Sequence, residues 1–301
     1  MVGLVECGTH ATIKAAMGSY ATGEQTLAGR LLGQLEQGAL AGVLLLADRL
    51  FVGFELWRTA GATGAELLWR AKTGKTAPTL PVDQVLSDGS WLSRLYAASD
   101  RRKRDPIVVR VIEYTICDPG RPQAKGVTYR LVTTILDPDQ APAAELAALY
   151  HQRWEVEGAL DELKTHQRGA QVVLRSKHPQ GVEQEVWAHL LVHYAIRKLM
   201  HQAALDEGLD PDRLSFVGTL RIVRRHLASH AAYPPDQVAR ATRWAIAEIL
   251  TERVPERRLR AYPRAVKRKM SGYKLKRAHH RSWSQPTMPV ADAVVVLSKA
   301  G

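Results

Sequence analysis

The alternation of apolar and polar positions changes along this chain, and each change marks a different kind of element. Leucines recur on one side of residues 23–35, which predicts a helix. Residues 43–47 form a continuous apolar run that ends at Asp48, a pattern typical of a strand buried on both faces. A helix is predicted at residues 54–59 and a strand at residues 66–70. Strands that alternate with helices favour an α/β sheet with parallel neighbours.

The pattern changes again between residues 73 and 136. Turn signals such as Asp88-Gly89 separate β-rich runs at residues 107–116 and 127–135, which predicts an antiparallel β insertion. Helical periodicity resumes at Ala143, and further helices are predicted at residues 182–205, 213–230 and 236–250.

One helical stretch carries a stripe of charged and phenolic side chains. A regular α-helix advances by about 100° per residue, so four side chains fall within roughly 60° of one another: Tyr150, Arg153, Glu157 and Lys164. A carboxylate beside cations suits a metal-assisted reaction on a phosphodiester, because the carboxylate binds the metal and the cations bind phosphate oxygens. The alternative is a solvated helix face with ordinary ion pairs. Three acids on the other faces are expected to be solvated: Glu155, Asp161 and Glu162.

Asp48 is a second candidate metal ligand, because it directly follows a predicted strand. The carboxyl ends of parallel strands are where α/β sheets place their active sites. Paired with Glu157 on a later helix, Asp48 could share divalent metal ions.

The basic charge of the chain is concentrated near its C-terminal end. The formal net charge is +12, and residues 253–281 contain twelve Lys or Arg residues and one acid, Glu256. Tyr262 and Tyr273 are interleaved with these charges, and Trp283 follows them. A dense basic patch of this kind predicts binding to a polyanion. The alternative is a disordered basic tail that contacts DNA only loosely.

Several function classes are disfavoured by the sequence. Gly74-Lys75-Thr76 is similar to part of a phosphate-binding loop, but Trp69 stands where that loop needs its first glycine, so no nucleotide cofactor is expected. His189 and His193 lack the intervening glutamate of a zinc peptidase and are expected to be partly buried helix residues. The apolar runs are too short to cross a membrane. Two distant cysteines fit a reducing cytoplasm.

The spacing Tyr-x2-Arg-x3-Glu-x6-Lys at residues 150–164 resembles the signature of IS4-type bacterial DDE transposases. Leu-Leu-Leu-Ala-Asp-Arg at residues 44–49 resembles the segment around the second catalytic aspartate of that family. Glu-Leu-Lys-Thr-His at 162–166 and Val-Lys-Arg-Lys-Met at 266–270 also resemble the family, and the β-rich insertion stands where the family has one. The resemblance covers nearly the whole chain.

The resemblance implies an RNase H-like α/β core with an antiparallel β insertion and a helical, basic C-terminal region. On this interpretation the chain has five segments: a partial core (1–72), the insertion (73–136), the catalytic-Glu helix that completes the core (137–180), a helical region (181–252) and a basic DNA-binding tail (253–301).

The implied activity is cut-and-paste DNA transposition, in which water activated by two Mg²⁺ or Mn²⁺ ions nicks the transposon end. The freed 3′-hydroxyl then attacks the other strand and later the target DNA. Asp48 and Glu157 would be the catalytic residues and the metal ligands. The DNA-binding residues would be Tyr150, Arg153, Lys164, Arg264, Lys267, Arg268 and Lys269.

The resemblance also implies a cellular setting. The family works as a homodimer on paired DNA ends, in the bacterial cytoplasm and associated with the nucleoid. Trp91 in the insertion could stack on an unpaired base, as an aromatic residue of the family's insertion does. The alternative is a half-buried sheet residue.

The chain departs from the family pattern at the first catalytic aspartate. No aspartate precedes Asp48, and the acids before it are Glu6, Glu24 and Glu36. We therefore expect a family member that starts late, lacks the first two strands of the core and has impaired catalysis. One alternative function is a catalytically inactive DNA-binding remnant that inhibits an intact transposase. A stand-alone, structure-specific nuclease on the same fold is another.

Overall fold

The computed structural model describes residues 1–74, 77–119, 127–169, 172–230, 234–255, 265–266, 274–275, 277–278 and 288–299. The chain divides into two units. We call residues 1–31 and 152–256 the helical unit, and residues 32–151 and 257–301 the sheet unit.

The strands in chain order are β1 (Val2–Val5), β2 (Thr12–Ala16), β3 (Leu44–Ala47), β4 (Glu66–Ala71), β5 (Gln84–Val85), β6 (Trp91–Leu95), β7 (Ile107–Ile116), β8 (Tyr129–Thr133), β9 (Ala265–Val266), β10 (Lys274–Leu275) and β11 (Val294–Val296). The helices are α1 (Glu24–Gly33), α2 (Phe54–Ala62), α3 (Ala143–Leu149), α4 (Glu155–Asp161), α5 (Pro179–Asp206), α6 (Phe216–His230), α7 (Pro235–Thr251) and α8 (Val290–Ala293). A mixed α/β architecture, as predicted, is confirmed.

The sheet unit contains a seven-stranded mixed sheet in the order β3-β4-β8-β7-β6-β5, with β11 paired to β7. Strands β3 and β4 are parallel, and the other pairs are antiparallel. The prediction of parallel neighbours therefore holds for this one pair. The antiparallel strands predicted as an insertion continue the same sheet, because β8 pairs directly with β4.

Strand β3 lies at the edge of the described sheet. Its partial burial corrects the prediction that it is buried on both faces. All four of its residues are only partly buried, whereas Leu67, Leu68 and Trp69 in the adjacent β4 are almost completely buried. Among the described strands β3 pairs with β4 alone, so no described strand of this sheet covers its other edge. The apolar run was correctly predicted as a strand, but sequence hydrophobicity did not reveal its position in the sheet.

The core of the sheet unit forms where α3 packs on the central strands. Leu68, Ile112 and Leu131 from three strands contact Leu146 of α3 and the buried Tyr150 that follows it. Next to this cluster, Trp57 of α2 packs edge-on against Trp69 of β4, with ring centroids 5.1 Å apart. Aromatic pairs of this geometry add to the free energy gained from burial.

A buried ion pair connects the predicted turn at Asp88 to the sheet and to α3. Arg110 of β7 has no solvent exposure and donates to Asp88, to the Ser90 hydroxyl at 2.8 Å and to the Ala141 carbonyl at 2.7 Å. Asp88 also accepts from the Ala143 amide at 2.8 Å, at the first turn of α3. Burial alone would raise the pKa of Asp88, but these hydrogen bonds and the Arg110 charge outweigh it and lower that pKa.

The helical unit combines the β1–β2 hairpin with the helices that follow residue 151. Helices α5, α6 and α7 share a core that includes Met200, Ala203, Leu220 and Ile249. The three helices were predicted from their periodicity, and α6 begins later than predicted because a 3₁₀ turn, Pro211–Arg213, precedes it. Among the described helices, none has the length and apolar character needed to cross a bilayer.

Candidate active site

The segment that carries the predicted stripe is not one regular α-helix. A 3₁₀ turn, Tyr150–Trp154, follows α3, and a π-helical turn, Glu162–Gln167, follows α4. A 3₁₀ turn has about three residues per turn instead of about 3.6, so the angular positions calculated for an ideal helix do not apply. The prediction of a single regular stripe was wrong for this reason. Tyr150 belongs to the sheet unit, and Arg153, Glu157 and Lys164 belong to the helical unit.

In the sheet unit, Asp48 occupies the predicted place at the carboxyl end of a parallel strand. It follows the last residue of β3 and is partly buried. Its Oδ1 accepts from the Arg49 amide at 2.6 Å, and its main-chain carbonyl accepts from the Phe51 amide at 3.0 Å. The residue before it, Ala47, has a carbonyl that accepts from the Tyr150 hydroxyl at 3.1 Å.

In the helical unit, Arg153 and Glu157 lie one turn apart, with Nη1 and Oε1 separated by 4.0 Å. The Glu157 side chain is 48% exposed, and Lys164 is also exposed, so both can reach a ligand in solvent. Arg153 is mostly buried, and its guanidinium lies 4.9 Å from the ring centre of Trp154. An exposed carboxylate beside cations is compatible with the chemistry predicted for this segment.

The other predictions about the site have three different outcomes. The close approach of Asp48 to Glu157, within a distance that allows shared metal ions, stays a prediction. The predicted basic contacts fall outside the described residues: Arg264, Lys267, Arg268 and Lys269. Trp91 is 1% exposed, so the alternative of a buried sheet residue is supported over base stacking.

A buried charge network in the helical unit was not predicted. Glu162 accepts from Arg197, with Nε to Oε2 at 2.9 Å, and lies 3.1 Å from His193 Nε2 and 3.2 Å from His10 Nδ1. His10 Nε2 lies 2.8 Å from Glu155 Oε2. The prediction that Glu155 and Glu162 are solvated was therefore wrong. The signal in the sequence was His193 and Arg197, one turn apart on an otherwise apolar helix face.

The network favours the ionised form of Glu162. Burial alone would raise its pKa, but hydrogen bonds to His10 and His193 and the charge of Arg197 outweigh this effect. The pKa of Glu162 consequently lies far below its ordinary value, and the carboxylate is charged throughout the neutral range.

One edge of the network has the composition of a metal site. His10 Nε2 and single oxygens of Glu155 and Asp212 lie within 4.8 Å of one another. Arg197 Nη1 lies 3.8 Å from Asp212 Oδ1, so a buried permanent cation already stands beside these oxygens. We assign these three residues to the ion-pair network, and they differ from the predicted ligands Asp48 and Glu157.

Glu6 is held within its own loop. Its carboxylate accepts from the Gly8 amide at 2.9 Å and from the Thr9 amide and hydroxyl at 2.6 and 2.5 Å. Burial acts to raise the pKa of Glu6, but these hydrogen bonds outweigh it and lower that pKa. Glu6 is exposed and ionised, although its oxygens are occupied by local donors.

Comparison with known proteins finds a matching family profile and a similar protein. A family profile described as a transposase DDE domain matches residues 5–194. The chain is also similar to the transposase InsG for insertion sequence element IS4 of Escherichia coli (strain K12), with 28% identity over 290 residues. That alignment covers 96% of the chain and 61% of the relative, so the chain spans about three fifths of the relative's length.

The Glu162 network predicts a specific loss of stability. Glu162→Gln should lower the free energy of unfolding by about 3–5 kcal/mol, because the buried Arg197 then loses the carboxylate charge to which it donates directly. Asp161→Asn is the matched control. The Asp161 side chain is 58% exposed, so this variant should change stability by no more than about 1 kcal/mol. Urea denaturation at neutral pH measures both variants. Equal losses in the two variants would contradict the assignment.

The same two variants test how the free energy of unfolding depends on pH. A carboxylate whose pKa is depressed by folding stabilises the protein above its unfolded pKa of about 4.3 and loses that effect as pH falls. Wild-type stability should therefore decline below about pH 5, and the decline should be shallower in Glu162→Gln than in Asp161→Asn.

Proposed function

This chain belongs to the transposase DDE domain family, and we propose that it acts on DNA in the transposition of an IS4-type insertion sequence. The observation that carries the proposal is the extent of the family match, which contains Asp48, Glu157 and the whole Tyr150–Lys164 signature. Asp48 at the end of a parallel strand and the exposed Glu157 support it. The fold that we propose for the matched region is the RNase H-like core of this family.

Asp48 and Glu157 are the proposed metal ligands. Carboxylate oxygens are the donors that Mg²⁺ and Mn²⁺ prefer, and both side chains have solvent access. When bound, such ions would polarise the scissile phosphate and lower the pKa of a water molecule. The negative charge that would hold the ions comes from these two carboxylates.

Cations of the helical unit are proposed to hold the DNA backbone. Lys164 is exposed, and Arg153 is anchored against Trp154 beside Glu157, so its guanidinium has few alternative orientations. An anchored guanidinium loses little conformational entropy when it contacts a phosphate. Tyr150 is a further proposed contact, with the basic residues Arg264, Lys267, Arg268 and Lys269. The proposed partners are transposon ends, target DNA and a second copy of the chain.

Catalysis by these 301 residues alone is proposed to be impaired. Two acids would bind a pair of divalent ions less well than three, because a third carboxylate would add a further ligand and negative charge. Glu6 precedes Asp48 in the chain, but its oxygens already accept three hydrogen bonds from Gly8 and Thr9. The second candidate function for these residues, an inactive DNA-binding inhibitor of an intact transposase, is favoured by the local hydrogen bonds that occupy the oxygens of Glu6.

Metal binding tests the assignment of ligands. Mn²⁺ titration followed by electron paramagnetic resonance should show at least about tenfold weaker binding in Asp48→Asn and in Glu157→Gln, since even supporting groups of metal sites contribute this much. Asp161→Asn, an exposed acid one turn from Glu157, should bind as the wild type does. If the two acids share ions, the double variant should be little weaker than either single variant. A Glu157 variant that matches the Asp161 control would refute the assignment.

A DNA-nicking assay distinguishes an active transposase from an inactive DNA-binding inhibitor. The purified chain should bind a supercoiled plasmid that carries its element's ends, yet produce no more nicked circles in Mg²⁺ or Mn²⁺ than Glu157→Ala does. Metal-dependent nicking that Glu157→Ala abolishes would show an active enzyme. Testing Glu6→Gln in the same assay would then show whether Glu6 is the third acid.

The basic segment is proposed to supply non-specific affinity for DNA. Changing Lys267, Arg268 and Lys269 to glutamine should reduce the slope of log K against log salt by about 0.9 for each lost phosphate contact, or up to about 2.7. A matched control changes Arg101, Arg102 and Arg104, which are exposed in a loop of the sheet unit. Equal slopes for the first variant and the wild type would exclude these three residues as phosphate contacts.

A further inference from the structure

We infer that His10 is a positioning residue for Glu157, acting through the two ends of helix α4, and this rests on the proposed function in that Glu157 is taken as a metal ligand. Both residues and the whole of α4 belong to the helical unit. The buried charge network would then support metal binding in addition to stabilising the fold.

Helix α4, which carries Glu157, is short and is interrupted at both ends. It has seven residues, and it lies between the 3₁₀ turn Tyr150–Trp154 and the π-helical turn Glu162–Gln167. A helix of this length is marginal in water by itself, because the first turn is costly to form. A change of helix type also interrupts the regular pattern of backbone hydrogen bonds. The position of Glu157 therefore depends on side-chain contacts that hold α4 in place.

The His10 imidazole supplies such contacts at both ends of α4. His10 Nε2 lies 2.8 Å from Glu155 Oε2, and its Nδ1 lies 3.2 Å from Glu162 Oε1. Glu155 is the first residue of α4, and Glu162 directly follows the last. The two contacts use both nitrogens of one rigid ring that has no solvent exposure, so movement of either end of α4 would break a contact. Glu157 lies between the two contact points in the chain.

The loop between β1 and β2 holds His10 in an unusual backbone conformation. Its φ is +56°, in the left-handed region that residues other than glycine rarely adopt. The Glu6 amide donates to the Ala11 carbonyl at 2.9 Å, and the Glu6 carboxylate accepts from the Gly8 and Thr9 amides. These bonds close the loop on both sides of His10. A residue kept in such a conformation by its surroundings is a candidate for a functional role.

Helix α5 anchors the C-terminal end of α4 through the same carboxylate that His10 contacts. Glu162 accepts from Arg197 Nε at 2.9 Å and lies 3.1 Å from His193 Nε2, and both partners are almost completely buried in α5. His10 therefore links the first residue of α4 to an end that α5 holds. Loss of the Glu155 contact should release the start of α4, next to Glu157, while its end stays in place.

Two variants remove that contact from opposite sides. In His10→Asn, asparagine tolerates the left-handed conformation, and its side-chain amide can replace Nδ1 beside Glu162 but has no atom in the place of Nε2. In Glu155→Ala the acceptor is lost, and alanine is the residue that most favours a helix. The matched control is Asp161→Ala, which removes an exposed acid from the other end of α4.

Amide hydrogen exchange measures how firmly α4 is held in the full chain. We expect exchange in residues 155–161 to be at least about tenfold faster in His10→Asn and Glu155→Ala, the factor for a hydrogen bond to a charged group. Helix propensity alone predicts slower exchange in Glu155→Ala. Exchange in Asp161→Ala should stay within about twofold of the wild type, because an exposed ion pair contributes little.

Mn²⁺ affinity, measured by electron paramagnetic resonance under conditions where every variant is folded, tests the positioning role. It should fall about fivefold in His10→Asn and Glu155→Ala, the factor that corresponds to one typical hydrogen bond. It should match the wild type in Asp161→Ala. A purely structural role of His10 would lower the free energy of unfolding and leave Mn²⁺ affinity unchanged.

A double variant tests whether His10 acts through Glu157. His10→Asn combined with Glu157→Gln should bind Mn²⁺ as weakly as Glu157→Gln alone, because the two changes then affect one interaction. Its free energy of unfolding should still be lower than that of Glu157→Gln. A further loss of Mn²⁺ affinity in the double variant would show that His10 acts on a different ligand and would overturn the positioning role.

Three other results would also decide against this role. Unchanged exchange in residues 155–161 of both variants would show that His10 does not hold α4. Wild-type Mn²⁺ affinity in both variants, when Glu157→Gln binds weakly, would show that Glu157 needs no positioning by His10. An equal fall of affinity in Asp161→Ala would identify a general effect of helix charge.

Failure of the proposed function gives a different pattern. If Glu157→Gln binds Mn²⁺ as the wild type does, Glu157 is not a metal ligand. The exchange rates in residues 155–161 then still decide whether His10 holds α4.

Discussion

The structure depends on keeping buried charges paired. Glu162 in the helical unit lies among His10, His193 and Arg197, and Asp88 in the sheet unit pairs with Arg110. Removing one partner of such a pair leaves an uncompensated charge in a low-dielectric interior, which costs several kcal/mol. Each pair also joins segments distant in sequence. These charges consequently restrain which segments can pack together, in addition to contributing to stability.

In the proposed active site, a residue that fixes the local structure lies beside residues that are proposed to bind metal or DNA. Two of the groups proposed to meet metal or DNA, Glu157 and Lys164, are exposed. Glu162, which holds several of its neighbours through ion pairs and hydrogen bonds, is buried. Buried groups of this kind lose their alternative rotamers to packing, so a ligand does not have to order them on binding. A site supported in this way keeps its geometry while its surface residues remain available.

Much of the fold followed from periodicity, and the errors have physical causes. Strand β7 was predicted to the residue and α5 to within a few residues, because long apolar patterns have few competing interpretations. The partial burial of β3 was missed because an apolar run does not reveal which elements cover the strand. The place of Asp48 at the carboxyl end of a parallel strand was predicted from the same run, and its role as a metal ligand stays a prediction. The burial of Glu162 was missed because its partners, including His10, lie far away in sequence.

The position of Glu162 affects how loss-of-function variants of this chain are interpreted. It lies within the signature segment, five residues after Glu157 and two before Lys164. If Glu157 and Lys164 bind metal and DNA as proposed, a screen for loss of that binding would score substitutions at all three positions together. A change at 162 would reduce the amount of folded protein, whereas a change at 157 would leave that amount intact. Protein abundance in cells responds to losses of about 1–2 kcal/mol in the free energy of unfolding. It therefore distinguishes the residue that stabilises the fold from the residues that are proposed to bind metal or DNA.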